Sequence, residues 1–495
     1  MSESNYEPVD SLREYVSRLE DRDDLMHTVT GADWEYEIGA LTEIAVRLEP
    51  PRAVMFDDIV DYEPGYRVFS APYPTDTHQA MALGIEPSRD SVDIVRQWKN
   101  RMRDLDPIPP NEVSSGPVKE NVFEGDDVNI WDFPVPIWHE QDGGRFVGTG
   151  NAVITRGPEE DDEWSWVNAA VYRNQVHSET KMGMFVNQTN QAGHQMKQWW
   201  DRGEPAPIVI DQGPDPFTYA GACAKLPKGE PELDMAGGIK GEAIDVIIDE
   251  DTGLPVPAHS EISMIGHVPP PDEESLPEGP FGECFGYYAG GAGMEENRMV
   301  VNVDKIWHRD DPILKGAPEL KDQAVVHGLG AHLGTAAGAW RSIEQDVENV
   351  QGVYSLYQVC QQGSSILVVS IDQEYAGHAE KAGLAAMSAG SAATSIAMVV
   401  VVDDDIDPAD TEDVFFAIST RATPSEDVQI IDGTPTFELD PRTSPEAREE
   451  GDFRNSAMLV NACIPWAWRD EYPDVVDFDP EYKDELREKF DIDNW

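Results

Sequence analysis

Cysteine, basic side chains and long apolar runs are all scarce in this sequence, and each shortage excludes something. The four cysteines, Cys223, Cys284, Cys360 and Cys463, lie far apart with no Cys-x-x-Cys. That spacing argues against a zinc ribbon or a disulfide framework and fits a reducing cytoplasm. Cys284 follows an acidic residue directly, and reads as a half-buried filler rather than a nucleophile. No stretch reaches about 18 uninterrupted apolar residues, and the first eight residues are polar and acidic, so the reading contains no membrane span and no signal peptide. No Gly-x-Gly-x-x-Gly follows a strand and no Walker loop occurs, which leaves dinucleotide and P-loop readings unsupported. The histidines show no zinc spacing; His177, His194 and His308 are isolated.

Only 36 basic side chains face 95 acidic ones, a net charge of −59. The acid is spread along the whole chain, unlike an interaction tail. Nucleic acid and anionic membranes would be repelled. Such a surface suits a protein that works in high salt, where self-repulsion is screened. Disorder is the other reading of high charge, but a 40% hydrophobic fraction and 13 tryptophans can build a core. A length of 495 residues predicts about two to four domains.

The pattern along the chain predicts an α/β unit first. Ser11 and Glu14 form a capping box ahead of Leu12, Tyr15, Val16 and Leu19 at helical spacing. Further helices are expected over 35–48, 76–83 and 90–102, and a short buried strand over 53–56. A Pro/Ser/Gly linker at 106–117 leads into a strand-rich region, with strands predicted over 147–155, 164–176, 207–211, 243–248 and 261–268, interrupted by a helix over 192–201. Alternation of helix and strand resumes afterwards: strands over 366–369 and 397–402, helices over 377–387 and 410–419. The segment after 440 is acidic and ends in a helix over 480–490. The run 289–293 reads as a flexible Gly-rich loop, and 403–407 as a solvated strand end.

Two stretches carry chemistry. Pro277-Glu278-Gly279-Pro280-Phe281-Gly282-Glu283 places two carboxylates on a shaped turn, because proline fixes one torsion and glycine permits unusual ones. Neighbouring carboxylates tend to keep one proton between them, as a general acid requires; a surface turn in an acid-rich chain is the plain alternative. The second stretch is 168–176, where strand alternation puts Tyr172, Asn174 and Val176 on one face and Val171, Arg173 and Gln175 on the other. A mid-strand arginine needs an anionic partner. Glu278 and Glu283 are its natural partners, whether for catalysis or as a structural ion pair.

Together these stretches resemble the UbiD family of prenylated-flavin-dependent decarboxylases. Asn168 to Gln175 is similar to the family's Asn-x-x-x-Tyr-Arg-x-Gln strand. Glu278 to Glu283, with Gly286-Tyr287-Tyr288, resembles its Glu-Gly-Pro-[Phe/Tyr]-Gly-[Glu/Asp]-x-x-Gly-Tyr-Tyr signature. His308-Arg309-Asp310-Asp311-Pro312-Ile313, Val400 to Asp403 and Gly433-Thr434-Pro435 follow in the same order. The resemblance covers about residues 10–440.

It implies an α+β multidomain fold: an N-terminal α/β domain (1–115), a central split β-barrel of flavin-reductase type that binds the cofactor (116–305), a C-terminal α/β domain (306–440) and an acidic C-terminal segment with a helix (441–495). It implies a cytoplasmic, homo-oligomeric carboxy-lyase acting reversibly on an aromatic or α,β-unsaturated acid. Glu283 would be the proton donor, in a network with Arg173 and Glu278. Prenylated FMN, supplied by a flavin prenyltransferase, would lie against Val171, Tyr172, Arg173, Phe185, Val186, Asn187, Asn190 and Gln191. A divalent ion, Mn²⁺ or Mg²⁺, with K⁺ as a further ion, would hold its phosphate through Asn168 and Glu232. The family's third ligand, a histidine, is replaced by Thr189, with His194 five residues on. Rival readings are an oxidoreductase using ordinary FMN and a non-catalytic flavin binder.

Overall fold

The computed structural model describes all residues except 1–6, 23–24, 148–149, 160–163, 290–295, 317, 319, 322–328, 360–362, 391–393, 479 and 491–495. Most of the Gly-rich run at 289–293 and Cys360 therefore lie outside the described residues.

The chain opens on the helix Leu12–Glu20, whose N-cap Ser11 accepts from the Glu14 N–H. Glu14 returns the bond to the Asp10 N–H at 2.8 Å, so the box closes one residue earlier than its simplest form. Leu12, Tyr15, Val16 and Leu19 are buried, as their spacing predicts. Beside the helix lies a four-stranded sheet in the order Met26–Thr30, Ala53–Asp57, Arg67–Ser70, Ile313–Gly316. Its last strand comes from beyond residue 306 and pairs parallel with Arg67–Ser70. The chain thus returns to its first sheet before it builds its last.

The central sheet has nine strands. Its main path runs Val167–Ala170, Asn151–Arg156, Ala206–Gln212, Ile262–Val268, Glu296–His308, Lys181–Met184, Asn174–Val176. The first and last strands of that path are separated by only three residues, Val171 to Arg173. The sheet therefore curls until its two ends come together, as a split barrel. This corrects the single strand expected over 164–176: it breaks at 171–173, and each half serves an opposite end of the sheet. Alternation across the break does not apply. Ile208, Ile210, Met264 and Val301 fill one face of the sheet, Val209 and Ile265 the other.

A small sheet joins Pro255–Pro257, Asp245–Ile248 and Asn111–Glu112, and the last sheet has five strands in the order Val350–Val359, Gly363–Ile371, Met398–Asp403, Arg454–Asn461, Val428–Pro435. Its middle pairings are parallel. Val399 and Val401 enter one core, Val400 and Val402 another. Cover on both faces explains the unbroken apolar run there. Arg454–Asn461 belongs to this sheet, although it lies in the segment read as a separate acidic tail. Cys223 and Cys463 are buried thiols, whereas Cys284 is disulfide-bonded, which the cysteine spacing gave no reason to expect. Among the described residues no helix is long and apolar enough to cross a membrane.

Candidate active site

Arg173 stands at the seam where the curled sheet meets itself. It is 4% exposed and Glu278 is fully buried. Arg173 Nε donates to Glu278 Oε1 at 2.7 Å and Nη2 donates to Oε2 at 2.8 Å, a two-pronged bond that fixes the guanidinium plane. Nη1 donates to Glu283 Oε1. Burial works against the charge on Arg173, but Glu283 and Glu278 more than offset it, and its pKa is raised. The two carboxylates of the acidic turn and the arginine of the broken strand are thus one unit. Glu283 keeps 14% of its side chain exposed while Glu278 has none, so the two acids are not equivalent.

The turn is held by its neighbours. Gln175 Oε1 accepts from the Gly279 N–H at 2.9 Å, and Gln175 Nε2 donates to the Gly143 carbonyl at 3.0 Å. The Gly143 N–H donates to the Pro280 carbonyl at 2.7 Å. A Cβ on Gly143 would stand 1.9 Å from the Gly279 oxygen, so only glycine permits this approach. Gly279 has φ +92° and Gly286 φ +74°; Gly282 does not take such a torsion and needs no special freedom. Asp142 Oδ1 accepts from the Tyr288 hydroxyl at 2.9 Å. The Phe281 ring lies under the turn against Phe146, centroids 4.4 Å apart.

Phe185, Val186 and Asn187 line a cleft of about 580 Å³ together with Arg298 and Glu438. The Phe185 centroid is 4.8 Å from the Arg173 guanidinium carbon, which sets this cleft beside the Arg173 network. Tyr172 is bonded through its hydroxyl to Asn190, and burial raises its pKa. Gln191 Nε2 donates to the Leu226 carbonyl at 2.9 Å. From the domain of the five-stranded sheet, Phe437 packs on Phe285 with centroids 5.3 Å apart, and Tyr357 and Leu439 join them around Cys284. Sequence reasoning missed Arg298, Phe437 and Glu438, because no local pattern marks them.

Asn168 and Glu232 are both buried at the strand Val167–Ala170. Glu232 accepts from the Ala169 N–H at 2.9 Å, and Asn168 Nδ2 donates to Thr155 Oγ1 at 3.2 Å. Burial pushes the Glu232 carboxyl up to about 7, against the bond from Ala169. A cation would favour its ionised form, so Glu232 suits a hard cation as an oxygen donor. The two other residues weighed as ligands are not brought in. Thr189 is exposed, with its N–H and hydroxyl both on Asn187 Oδ1 at 3.0 and 2.9 Å. The His194 ring is stacked on Trp164, centroids 4.5 Å apart. Among the described residues no group of three or more His, Cys, Asp or Glu could hold a metal ion.

The site is an acid pair bridged by a buried arginine on a split barrel between two α/β units, and comparison with known proteins gives the class, a carboxy-lyase. Residues 16–99, 111–319 and 330–462 match, in turn, the N-terminal, Rift-related and C-terminal domain models of 3-octaprenyl-4-hydroxybenzoate carboxy-lyase. The chain belongs to the UbiD family. It is 28% identical over 461 residues to a phenolic acid decarboxylase of Sedimentibacter hydroxybenzoicus, covering 92% of this chain and 91% of that one. It is 29% identical to a pyrrole-2-carboxylic acid decarboxylase of Pseudomonas aeruginosa, with the same coverage. Among solved structures, the open form of the S. hydroxybenzoicus vanillic acid decarboxylase superposes with a TM-score of 0.83 at 25% identity, covering 98% of this chain and 99% of that one. The UbiD-class enzyme HmfF from Pelotomaculum thermopropionicum, in complex with FMN, gives 0.81 at 24% identity over 96% and 98%, a likeness of fold.

Proposed function

We propose that the protein decarboxylates an aromatic or α,β-unsaturated carboxylic acid without net oxidation, using prenylated FMN, with Glu283 as the proton donor. The observation that carries this reading is the unequal pair: buried Glu278 grips Arg173 with both oxygens, while partly exposed Glu283 takes the remaining contact. The names of the relatives support an aromatic acid. The cofactor, when bound, supplies an acceptor for the electron pair left behind as CO₂ departs.

The chain's own residues do the rest. Glu278 fixes the plane and charge of Arg173. Arg173 holds Glu283 in place while Glu283 delivers a proton to the carbon that has lost CO₂, and takes one back in the reverse carboxylation. Phe185 and Val186 form an apolar wall that limits water at that carbon. Asn168 and Glu232 would hold a divalent ion, Mn²⁺ or Mg²⁺, with K⁺ as companion, against the cofactor phosphate. The histidine of the family pattern has no counterpart there, so the site would use oxygen donors. A homo-oligomer supplied by a flavin prenyltransferase completes the reading.

The test is to co-express the chain with a flavin prenyltransferase, purify it in high salt, identify the flavin by mass and screen acids for CO₂ release. Glu283→Gln should keep its flavin and lose turnover by about 10²-fold or more. Full rate in that variant sinks the proton-donor role. Ordinary FMN with NAD(P)H oxidation would mean an oxidoreductase, and bound prenylated flavin with no acid turned over would mean a non-catalytic binder.

A further inference from the structure

We propose that Asp142 is the positioning residue for Glu283: its carboxylate clamps both legs of the loop that carries Glu283 and so fixes where that acid stands against Arg173. The proposal rests on the reading of Glu283 as the proton donor.

Glu283 sits on a short closed loop. Its N–H donates to the Tyr287 carbonyl at 3.2 Å, and its own carbonyl accepts from the Gly286 N–H at 2.7 Å. Residues 283–287 are therefore a bridged turn that moves as one piece. Within it, Phe285 packs on Phe437, which belongs to the domain of the five-stranded sheet. That contact holds the loop against a different domain from the barrel strand of Arg173. Placement against Arg173 needs a hold from the barrel side.

Asp142 supplies it at the two points where the loop begins and ends. Its Oδ1 accepts from the Gly282 N–H at 3.3 Å, just before Glu283, and from the Tyr288 hydroxyl at 2.9 Å, just after Tyr287. Its Oδ2 accepts from the His139 N–H at 3.0 Å, and His139 Nδ1 stands 3.5 Å from the same oxygen. The Asp142 side chain has no exposed surface. A buried carboxylate is costly unless donors meet its oxygens, and both oxygens are met here. Burial, and next the charge on Asp142, raise the pKa of the Tyr288 hydroxyl, so it stays a donor.

The segment that carries Asp142 is tied to the other side of the contact as well. The Gly143 carbonyl accepts from Gln175 Nε2 at 3.0 Å, and Gln175 lies two residues beyond Arg173. Residues 139–144 thus hold the strand of Arg173 on one side and the loop of Glu283 on the other, and the Arg173–Glu283 contact spans the two. A reacting group misplaced by about 1 Å can lose about 10²-fold in rate, so a clamp of this kind acts on turnover.

The experiment uses flavin-loaded protein and has two arms. The first measures kcat and KM for CO₂ release, starting with 4-hydroxybenzoate and passing to whichever acid the wild type turns over. Asp142→Asn leaves one acceptor oxygen for three donors, and should lower kcat by about tenfold or more with KM and flavin content unchanged. Tyr288→Phe removes one leg of the clamp and should lower kcat by a smaller factor. Added to Glu283→Asp, Asp142→Asn should cost less than it does alone, because both displace the same carboxyl. The second arm follows backbone hydrogen exchange by mass spectrometry. Asp142→Asn should speed exchange over 279–288 and leave the five-stranded sheet unchanged.

Unchanged exchange over 279–288 overturns the clamp. So does a raised KM at constant kcat, a fall in kcat matched by a fall in flavin content, or rate factors that simply multiply with Glu283→Asp. Faster exchange in a protein whose wild type releases no CO₂ from any acid would leave the clamp standing and remove the decarboxylase reading. Turnover that is indifferent to Asp142→Asn would remove this inference and leave that reading.

Discussion

Asp211 is fully buried and accepts from Ser260 Oγ at 2.6 Å and from Ser263 Oγ. Burial pushes its carboxyl up to about 8, although both serines pull the other way. A carboxyl raised in the fold holds a proton that the unfolded chain has already lost, so its contribution to stability is present at low pH and disappears as pH rises through about 8. Between pH 7 and 9 this single group should cost on the order of 1 kcal/mol. Asp211→Asn should remove that part of the slope, and chemical denaturation of both proteins across this window measures the difference. Parallel slopes would mean that Asp211 is ionised throughout. At the same scale, Arg173 was legible from sequence because a buried arginine demands an anion, and the acidic turn was the evident source. Arg298 and Glu438 were not: alternation assigns a side chain to a face but does not say which pocket that face lines.

The acidic turn depends on an element that looks unremarkable in the sequence. Gly143 lies against Gly279 and Pro280, and Gly143→Ala forces a backbone collision rather than a side-chain adjustment. We expect a loss of about 1–3 kcal/mol and a larger fall in kcat than in flavin content, as Glu283 moves relative to Arg173. Thermal melts with flavin quantitation and kinetics separate the two effects. Helices with local signals were readable: Ser11 and Asp90 cap where a polar residue precedes an apolar period. Strand 164–176 was misread as continuous because its break has a distant cause. Each half pairs with a different edge, Val167–Ala170 with Asn151–Arg156 and Asn174–Val176 with Lys181–Met184. The same holds for Ile313–Gly316, whose partner lies more than two hundred residues upstream.

Across the whole molecule, charge sets the conditions under which any of this operates. A net −59 spread over four sheets and their helices gives mutual repulsion that water alone screens weakly. The screening length falls from about 10 Å at 0.1 M salt to about 3 Å at 1 M. The melting temperature should therefore climb steeply between these concentrations of KCl and flatten above them, and a flat profile from 0.1 M upward would remove the high-salt reading. The charge count alone made this legible. The way four sheets are assembled from one chain was not, since the family pattern orders the domains without saying that the first sheet is completed by the strand Ile313–Gly316.

The seam at Val171 to Arg173 makes the barrel's closure and the acid's chemistry the same event. A hoop closed by a rivet opens at the rivet, and here the rivet is the side chain that grips Glu278 and Glu283. Any strain that parts the two ends of the central sheet must first pull on that grip. The protein would then lose the Arg173–Glu283 contact before it loses its fold.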